Sequence, residues 1–532
     1  MYPKLISALC DATRYPHPVT RVEIIETHIS WIILTGEVAY KIKKPVNFGF
    51  LDFTSLDDRK HYCYEELRLN QRLAPDIYQT VIPICGTEDS PELDGQGEPF
   101  EYAVQMHQFD ETLRLDRLLQ KSALTAQHID ALSQQIAEFH LQVPHASTDG
   151  PWGEPETIWQ VVSDNFIHAG DHLDTLDDWM QLQQLAYQIS QQFRTLTPKL
   201  IERKQQGHIR ECHGDLHLAN TTLLHDEVRL FDCIEFNLEF RWIDTISDLA
   251  FLLMDLEAND QPQYAHRCLN RYLEITSDYD GVQLLSFYQG YRAMVRAKVA
   301  MIGEQRDMDD YHRYITLALG YANQPAPVLY LMRGVSGSGK SHLSQQLLEH
   351  NGAIRIRSDV ERKRLHREYS LQGNNLELYG HEMNVHTYNH LKNFTEKLLK
   401  AGQSVIVDAT FIRERPRKSY LAMAEKLDID VRIINCSCPE PLMAERLIQR
   451  QQQGYDPSDA TLDIMLRQQH VLQPLSESEL AITYNINTSN NCAITSLLQQ
   501  IEQDPALAGK DYRGEETNEG CCVAPSMRCT DT

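Results

Sequence analysis

The run GVSGSGKS at residues 334–341 constrains this chain more than any other stretch. It follows the apolar segment VLYLM at 328–332 and precedes the helix-compatible HLSQQLLEH. Gly334, Gly337 and Gly339 let the backbone turn tightly enough to aim several N–H groups at one point, beside the positive end of the following helix. Such a loop cradles phosphate, so Gly334, Val335, Ser336, Gly337, Ser338 and Gly339 are candidate nucleotide-binding residues. Lys340 adds a point charge for the β and γ phosphates of ATP, and the Ser341 hydroxyl is placed to reach Mg²⁺. The apolar runs SVIVDA (404–409) and VRIIN (431–435) follow, separated by helical stretches near 341–350, 382–401, 416–427 and 439–453. Short buried strands alternating with helices predict an α/β P-loop NTPase domain with a parallel sheet over 328–504.

Asp408 ends one of these strands, where a carboxylate can hold the metal's water shell opposite the loop; a helix N-cap is its other reading. Asp359, after a short apolar turn and at the start of a helix, is a candidate to take a proton from a substrate hydroxyl. Arg355, Arg357, Arg362, Lys363, Arg364 and Arg367 surround it against Asp359 and Glu361 alone, an excess of positive charge that suits an anionic acceptor or a solvated helix face. Arg446 and Arg450 stand one helical turn apart and are expected to face the phosphates from a lid.

The proline-bearing NQPAPV at 323–328 separates this part from a longer one. We read 1–322 as a first domain, 323–327 as linker, and the polar 505–532 as a disordered tail. Residues 325–532 hold 23 basic and 26 acidic residues, a net of -3, which leaves -22 of the chain's -25 to residues 1–324. A surface so acidic disfavours general nucleic-acid binding. No apolar stretch approaches the length of a membrane span and the N-terminus lacks a secretory pattern, so a cytoplasmic protein is expected. Twelve cysteines without paired zinc spacing indicate neither a disulfide framework nor a thiolate metal site.

Residues 21–48 alternate as strands do, with TGEV as a turn, whereas 58–74, 125–143, 178–206 and 284–301 carry helical apolar spacing. A strand-rich lobe over about 1–108 then leads into a helical lobe over about 109–322. Within the latter, HGDLHLAN at 213–220 places Asp215 and Asn220 five residues apart, and Asp232 follows at the end of VRLF. That spacing suits phosphoryl transfer, with Asp215 orienting a substrate hydroxyl and Asn220 and Asp232 holding Mg²⁺. The rival reading takes His213, Asp215 and His217 as ligands of a hydrolase metal.

Residues 328–504 resemble the P-loop kinases of the polynucleotide kinase and zeta-toxin type, the AAA_33 group, through the loop, the Asp after the second strand, the VDAT strand end and the arginine pair before DPSDA. Residues 20–320 resemble the aminoglycoside phosphotransferase family through HGDLHLAN and the downstream Asp. That resemblance implies an α+β protein-kinase-like bilobal fold ahead of the P-loop domain. It makes Lys41 of VAYK the ATP-pairing lysine, with Lys43 as the alternative, and YAVQMHQF at 102–109 the hinge strand. Glu65 or Glu66 is the lysine's partner, and Glu65 is favoured because Leu69 and Leu73 continue its spacing. Asp248 is implied to brace the catalytic loop. Two departures stand out: no glycine-rich loop lies between the first strands, and Glu235 follows the metal Asp in place of a kinase-type glycine. The order of the two parts resembles bacterial bifunctional fusion proteins, implying an ATP- and Mg²⁺-dependent transfer of the γ-phosphoryl group to small-molecule hydroxyls in both domains. In the alternative, one domain is a nucleotide sensor or neutraliser that regulates the other.

Overall fold

The computed structural model describes residues 2–504 apart from 50, 302–305, 324, 375, 454–457 and 491. The first strands are β1 (Glu23–Glu26), β2 (Ser30–Leu34), β3 (Val38–Lys43), β4 (Tyr78–Thr87), β5 (Ser90–Leu93) and β6 (Glu101–His107), joined as an antiparallel sheet in the order β1-β2-β3-β6-β4-β5. Alternation along β3 sends Tyr40 and Ile42 to one face, where they pack with Trp31, Ile33, Ile82 and Ile84. Ala39, Lys41 and Lys43 therefore point to the other face. Helix Leu56–Asn70 packs on β4 and β6. It begins at Ser55, whose hydroxyl accepts the Asp58 N–H at 3.0 Å. Its buried residues Arg59, Cys63, Glu66 and Asn70 recur at three- and four-residue spacing and make one stripe. Leu69 joins Leu73 in the separate core of the helical body, so this helix is covered on two sides.

The helical body comprises chiefly Ala126–Gln142, Pro155–Gly170, Leu176–Gln205, Thr245–Ala258, Pro262–Thr276, Leu285–Met301 and Met308–Gly320. Among these helices β7 (Ile209–Glu211) pairs with a later strand, while β8 (Thr221–Leu224) and β9 (Glu227–Leu230) form a hairpin. The partner of β7 is β10 (Trp242–Asp244).

The last sheet holds β11 (Val328–Arg333), β12 (Ile354–Arg357), β13 (Val405–Asp408), β14 (Asp430–Ser437) and β15 (Thr483–Asn487), all parallel, in the order β12-β13-β11-β14-β15. Every residue of β11 and β13 is buried, as strands covered on both faces require. Segment 354–357, read from its residues alone as a short apolar turn, is an edge strand, in line with the strand that the AAA_33 resemblance implies before Asp359; its two arginines disguise it in the sequence.

The packing is continuous from the helical body to this sheet. Leu329, Leu331, Ile354, Ile356, Val405 and Val407 share one apolar core with the helices before residue 322. Helix Pro262–Thr276 lies on the P-loop helix Lys340–Asn351, with His266 Nδ1 3.0 Å from the Glu349 carbonyl oxygen. The rings of Tyr279 and Phe394 meet at 4.9 Å. Segment 505–532, expected as a tail, lies outside the described residues. Among the described residues no helix is long and apolar enough to cross a membrane.

Candidate active sites

In the first region Lys41 reaches from β3 to Glu66 Oε1 at 2.7 Å and contacts Asp232. Lys43, on the same face of the strand, meets Glu66 Oε2 at 2.7 Å and contacts Glu235. Burial alone would draw the Lys41 ammonium down, but Asp232 and Glu66 lift it well above its ordinary value. Burial pushes the Glu66 carboxyl up, yet the two lysines hold it below the usual carboxylate range. The set is thus two buried lysines paired with the buried Glu66 and Glu235 and with the partly exposed Asp232.

Glu65, expected as the lysine's partner, is not. It pairs with Arg68 at 2.9 Å and with Arg241 at 3.1 Å. The expectation took Leu69 and Leu73 as marking the helix's only buried face; they mark the face toward the helical body, and the stripe containing Glu66 faces the sheet.

The loop at 213–220 is held from behind. Asp248, fully buried on helix Thr245–Ala258, accepts the backbone N–H of His213 at 3.0 Å and of Gly214 at 2.8 Å. Asp255, two turns on, accepts the Leu218 N–H at 2.9 Å. His213 turns Nε2 to the Phe231 carbonyl oxygen at 2.9 Å, and its Nδ1 accepts the Asp215 N–H at 3.3 Å. Both ring nitrogens therefore brace backbone. Among the described residues, the convergent group of three potential metal-ligating side chains is His140, Cys212 and Asp248, so the His213–Asp215–His217 metal cluster does not assemble.

Asn220 donates from Nδ2 to Asp215 Oδ2 at 3.0 Å, and His217 Nε2 lies 3.3 Å from the same oxygen. Burial raises the Asp215 carboxyl, but the His217 and His213 rings and Arg296 bring it well below the ordinary range. It is an anion at neutral pH, suited to accept a hydrogen bond from a hydroxyl. The hairpin sets Thr221 opposite Leu230, and the Phe231 N–H donates to the Asn220 carbonyl at 3.0 Å. Asn220 and Asp232 thereby leave the hairpin side by side, with Asp232 at φ 64°, a conformation unusual for a residue with a side chain.

In the second region the loop 334–339 joins β11 to the helix that begins at Lys340. Gly339 has φ 83°, and a Cβ there would lie 2.8 Å from Thr488 Oγ1; at Gly337, also φ 83°, it would lie 2.8 Å from the Met443 carbonyl oxygen. Only glycine lets these walls approach so closely. Lys340 Nζ donates to the Val335 carbonyl at 2.9 Å. Burial holds this ammonium below its ordinary value, opposed by the charges of Asp408 and Asp359 and reinforced by Arg450. Ser341 lies in the first helical turn, and the buried Ser338 Oγ at the centre of the loop makes no hydrogen bond.

Asp408 ends β13, accepts from Ser344 Oγ at 3.4 Å and lies 3.9 Å from Arg357 Nε. It caps no helix: the next one starts after Arg413. Asp359 sits in the first turn of helix Ser358–Leu371, where an anion meets the positive end of the helix dipole.

Arg446 departs from the expected lid role. Its donors go to the Thr488 carbonyl at 2.7 Å, Thr488 Oγ1 at 3.1 Å and the Gly337 carbonyl at 3.4 Å, clamping the loop. Arg450 stands near enough for its charge to hold the Lys340 ammonium down. Of the DPSDA segment, residues 456 and 457 lie outside the described residues. The basic run is largely paired within the chain: Lys363 with Asp459 at 2.7 Å, Arg364 with Glu361, and Arg355 with Glu274 at 2.7 Å. Gln468 is a contact the sequence did not signal. Its Oε1 accepts the Ser336 N–H at 2.7 Å, and nothing in its helix, Leu462–His470, distinguishes it from its glutamine neighbour.

Residues 329–475 match the family described as an AAA domain, AAA_33. The uncharacterized protein Rv2004c of Mycobacterium tuberculosis is 28% identical over 466 residues, covering 86% of this chain and 91% of that protein. The uncharacterized protein Mb2027c of Mycobacterium bovis matches to the same extent, 28% over 466 residues, a span longer than either region alone. Among solved structures, a gluconokinase from Sinorhizobium meliloti 1021 aligns with 33% of this chain and 92% of its own, at 16% identity and a TM-score of 0.26. A choline/ethanolamine kinase family protein from Mesorhizobium loti aligns with 60% of this chain and 96% of its own, at 9% identity and a TM-score of 0.38.

Proposed function

We propose that the chain is an ATP- and Mg²⁺-dependent phosphotransferase with two nucleotide sites, each moving a γ-phosphoryl group to a hydroxyl of a small molecule. The observation that carries this reading is that each region sets a buried lysine beside a loop suited to phosphate: Lys41 paired with Glu66 and Asp232, and Lys340 resting on the Val335 carbonyl of the glycine loop, where the charges of Asp408 and Asp359 oppose its burial. Phosphoryl transfer asks the protein mainly for position and charge compensation, which such sets provide. The donors fit the expected ion. Asn220, Asp232, Ser341 and Asp408 offer oxygen atoms, the ligand type a hard cation such as Mg²⁺ takes, and the orphaned Ser338 hydroxyl gives the loop a free polar group for phosphate. When bound, Mg²⁺ would neutralise charge on the phosphates. Asp215 holds the acceptor hydroxyl of the first site, Asp359 that of the second, and Arg450 adds positive charge near Lys340.

Asp215→Ala and Lys340→Ala, assayed separately with labelled ATP across a metabolite panel, test the proposal. Each should lower the phosphorylation of its own product by about 10²–10⁴-fold. If neither substitution lowers any product, the reading fails. The continuous core between the regions favours a second reading, in which one site senses nucleotide and regulates the other. Under that reading only one of the two substitutions removes all turnover, and the silent site still binds ATP.

A further inference from the structure

Helix Leu285–Met301 runs beside the loop that carries Asp215. Arg292 ties it there: its Nη1 donates to the Gly214 carbonyl, its Nε to the Ser247 carbonyl and its Nη2 to Ser247 Oγ, each at 3.2 Å. The ring of Phe251 fills the space between, 5.0 Å from the Arg292 guanidinium and 5.7 Å from the His217 ring. The donors of Arg292 are thus spent on the fold. Arg296 stands one helical turn further along the same face, and its surroundings differ.

Arg296 is half-buried, and among the described residues it makes one hydrogen bond and no ion pair. Its Nε donates to the Tyr314 hydroxyl at 3.4 Å, with the guanidinium 5.7 Å from the centre of that ring. Tyr314 is itself fixed, being 2% exposed with Arg313 stacked on its ring at 4.8 Å. The Arg296 guanidinium is therefore held by Nε alone. Its two Nη groups, the prongs of a fork that matches the paired oxygens of a carboxylate or phosphate, take no partner among the described residues.

The charge of this fork belongs to the first site. It joins the His217 and His213 rings against the burial that would otherwise raise the Asp215 carboxyl. Burial in turn would lower the guanidinium, but Tyr314 and the charges of Asp255 and Asp215 lift it. The Asp215 side chain is 34% exposed, so a small molecule whose hydroxyl meets it finds a positive fork nearby. The net of -22 over residues 1–324 repels anions at long range, but salt screens that field over about 10 Å, and at contact the nearest charges decide.

We propose that Arg296 binds an anionic group, carboxylate or phosphate, of the acceptor whose hydroxyl Asp215 holds, so that the first site selects anionic hydroxy compounds. The inference rests on reading that site as a phosphotransferase.

The test uses the full chain with labelled ATP and Mg²⁺, counting only the product that Asp215→Ala abolishes. The probes are glycerate and glycerol 3-phosphate, each against glycerol; the first two tell carboxylate from phosphate. The wild type should favour an anionic member by about 10–100-fold in kcat/KM, as a hydrogen-bonded charge pair would. Arg296→Gln should bring that ratio close to one by raising KM for the anionic member, whereas an arginine that only supports the fold would lower both members alike. Should Arg296→Gln fail to fold, Arg296→Lys, which keeps the charge and loses the fork, should reduce the ratio several-fold. An unchanged ratio in either variant overturns the proposal, and so does a wild type whose Asp215-dependent product comes from uncharged acceptors. A wild type with no Asp215-dependent product at all instead refutes the site reading beneath it.

Discussion

Around Lys41 the charges are set by side chains, two buried lysines against Glu66, Glu235 and the partly exposed Asp232. Around Lys340 it is built chiefly from main chain, a glycine loop at a helix N-terminus whose lysine rests on a carbonyl of its own loop. The difference teaches where each region is vulnerable. A side-chain array fails when a shared member is removed, because its buried partners lose the group that their positions depend on. A main-chain cradle fails when a Cβ is added, because geometry alone makes it.

The largest effect should come from Glu66→Gln, which strips both Lys41 and Lys43 of a partner. Loss of one member of a buried ion set costs about 3–5 kcal/mol, whereas Glu65→Gln on the more exposed side should cost about 1 kcal/mol or less. Urea unfolding of the two variants measures both; equal losses would mean that the array does not differ from a surface network.

Next in size is a pH dependence of the first region. Burial raises Glu257 from 4.5 to about 7, with hydrogen bonds from Tyr321 and Gln289 opposing. A carboxyl raised on folding gives stability that is complete below its unfolded value and is lost as pH rises through the folded one. Thermal unfolding should therefore show stability falling between pH 4.5 and about 7, by at most about 3 kcal/mol. Glu257→Gln should flatten that segment, and an unaltered slope would assign it to other groups.

The smallest concerns the cradle. Gly339→Ala forces a side chain into φ 83°. The left-handed conformation costs about 1–2 kcal/mol, so Lys340-dependent nucleotide binding should weaken by about 5–30-fold, with no charge altered and the first site untouched. Unchanged affinity in calorimetry would show that the loop is held by something other than its backbone geometry.

How much could be read beforehand follows the same division. The strands and helices around the P-loop stand out because their patterns are continuous, and Asp215, Asn220 and Asp232 stand out because a loop and a single hairpin hold them. The phase of helix Leu56–Asn70 was misread because two different bodies bury it, and apolar spacing reports only one of them. Strand β12 carries no continuous apolar run of its own and is implied only by the resemblance, because its arginines look like surface charge until Glu274 covers them.

By itself the sequence determined the contiguous chemistry: a glycine cradle, a lysine behind it, and an Asp–Asn–Asp spacing whose geometry a few dihedral angles settle. Tertiary structure decided which glutamate faces Lys41, which arginine clamps the loop and which acid stands behind the P-loop. Those choices join residues far apart in the chain through burial, and the energy of a charge depends on what is packed around it rather than on its neighbours in sequence.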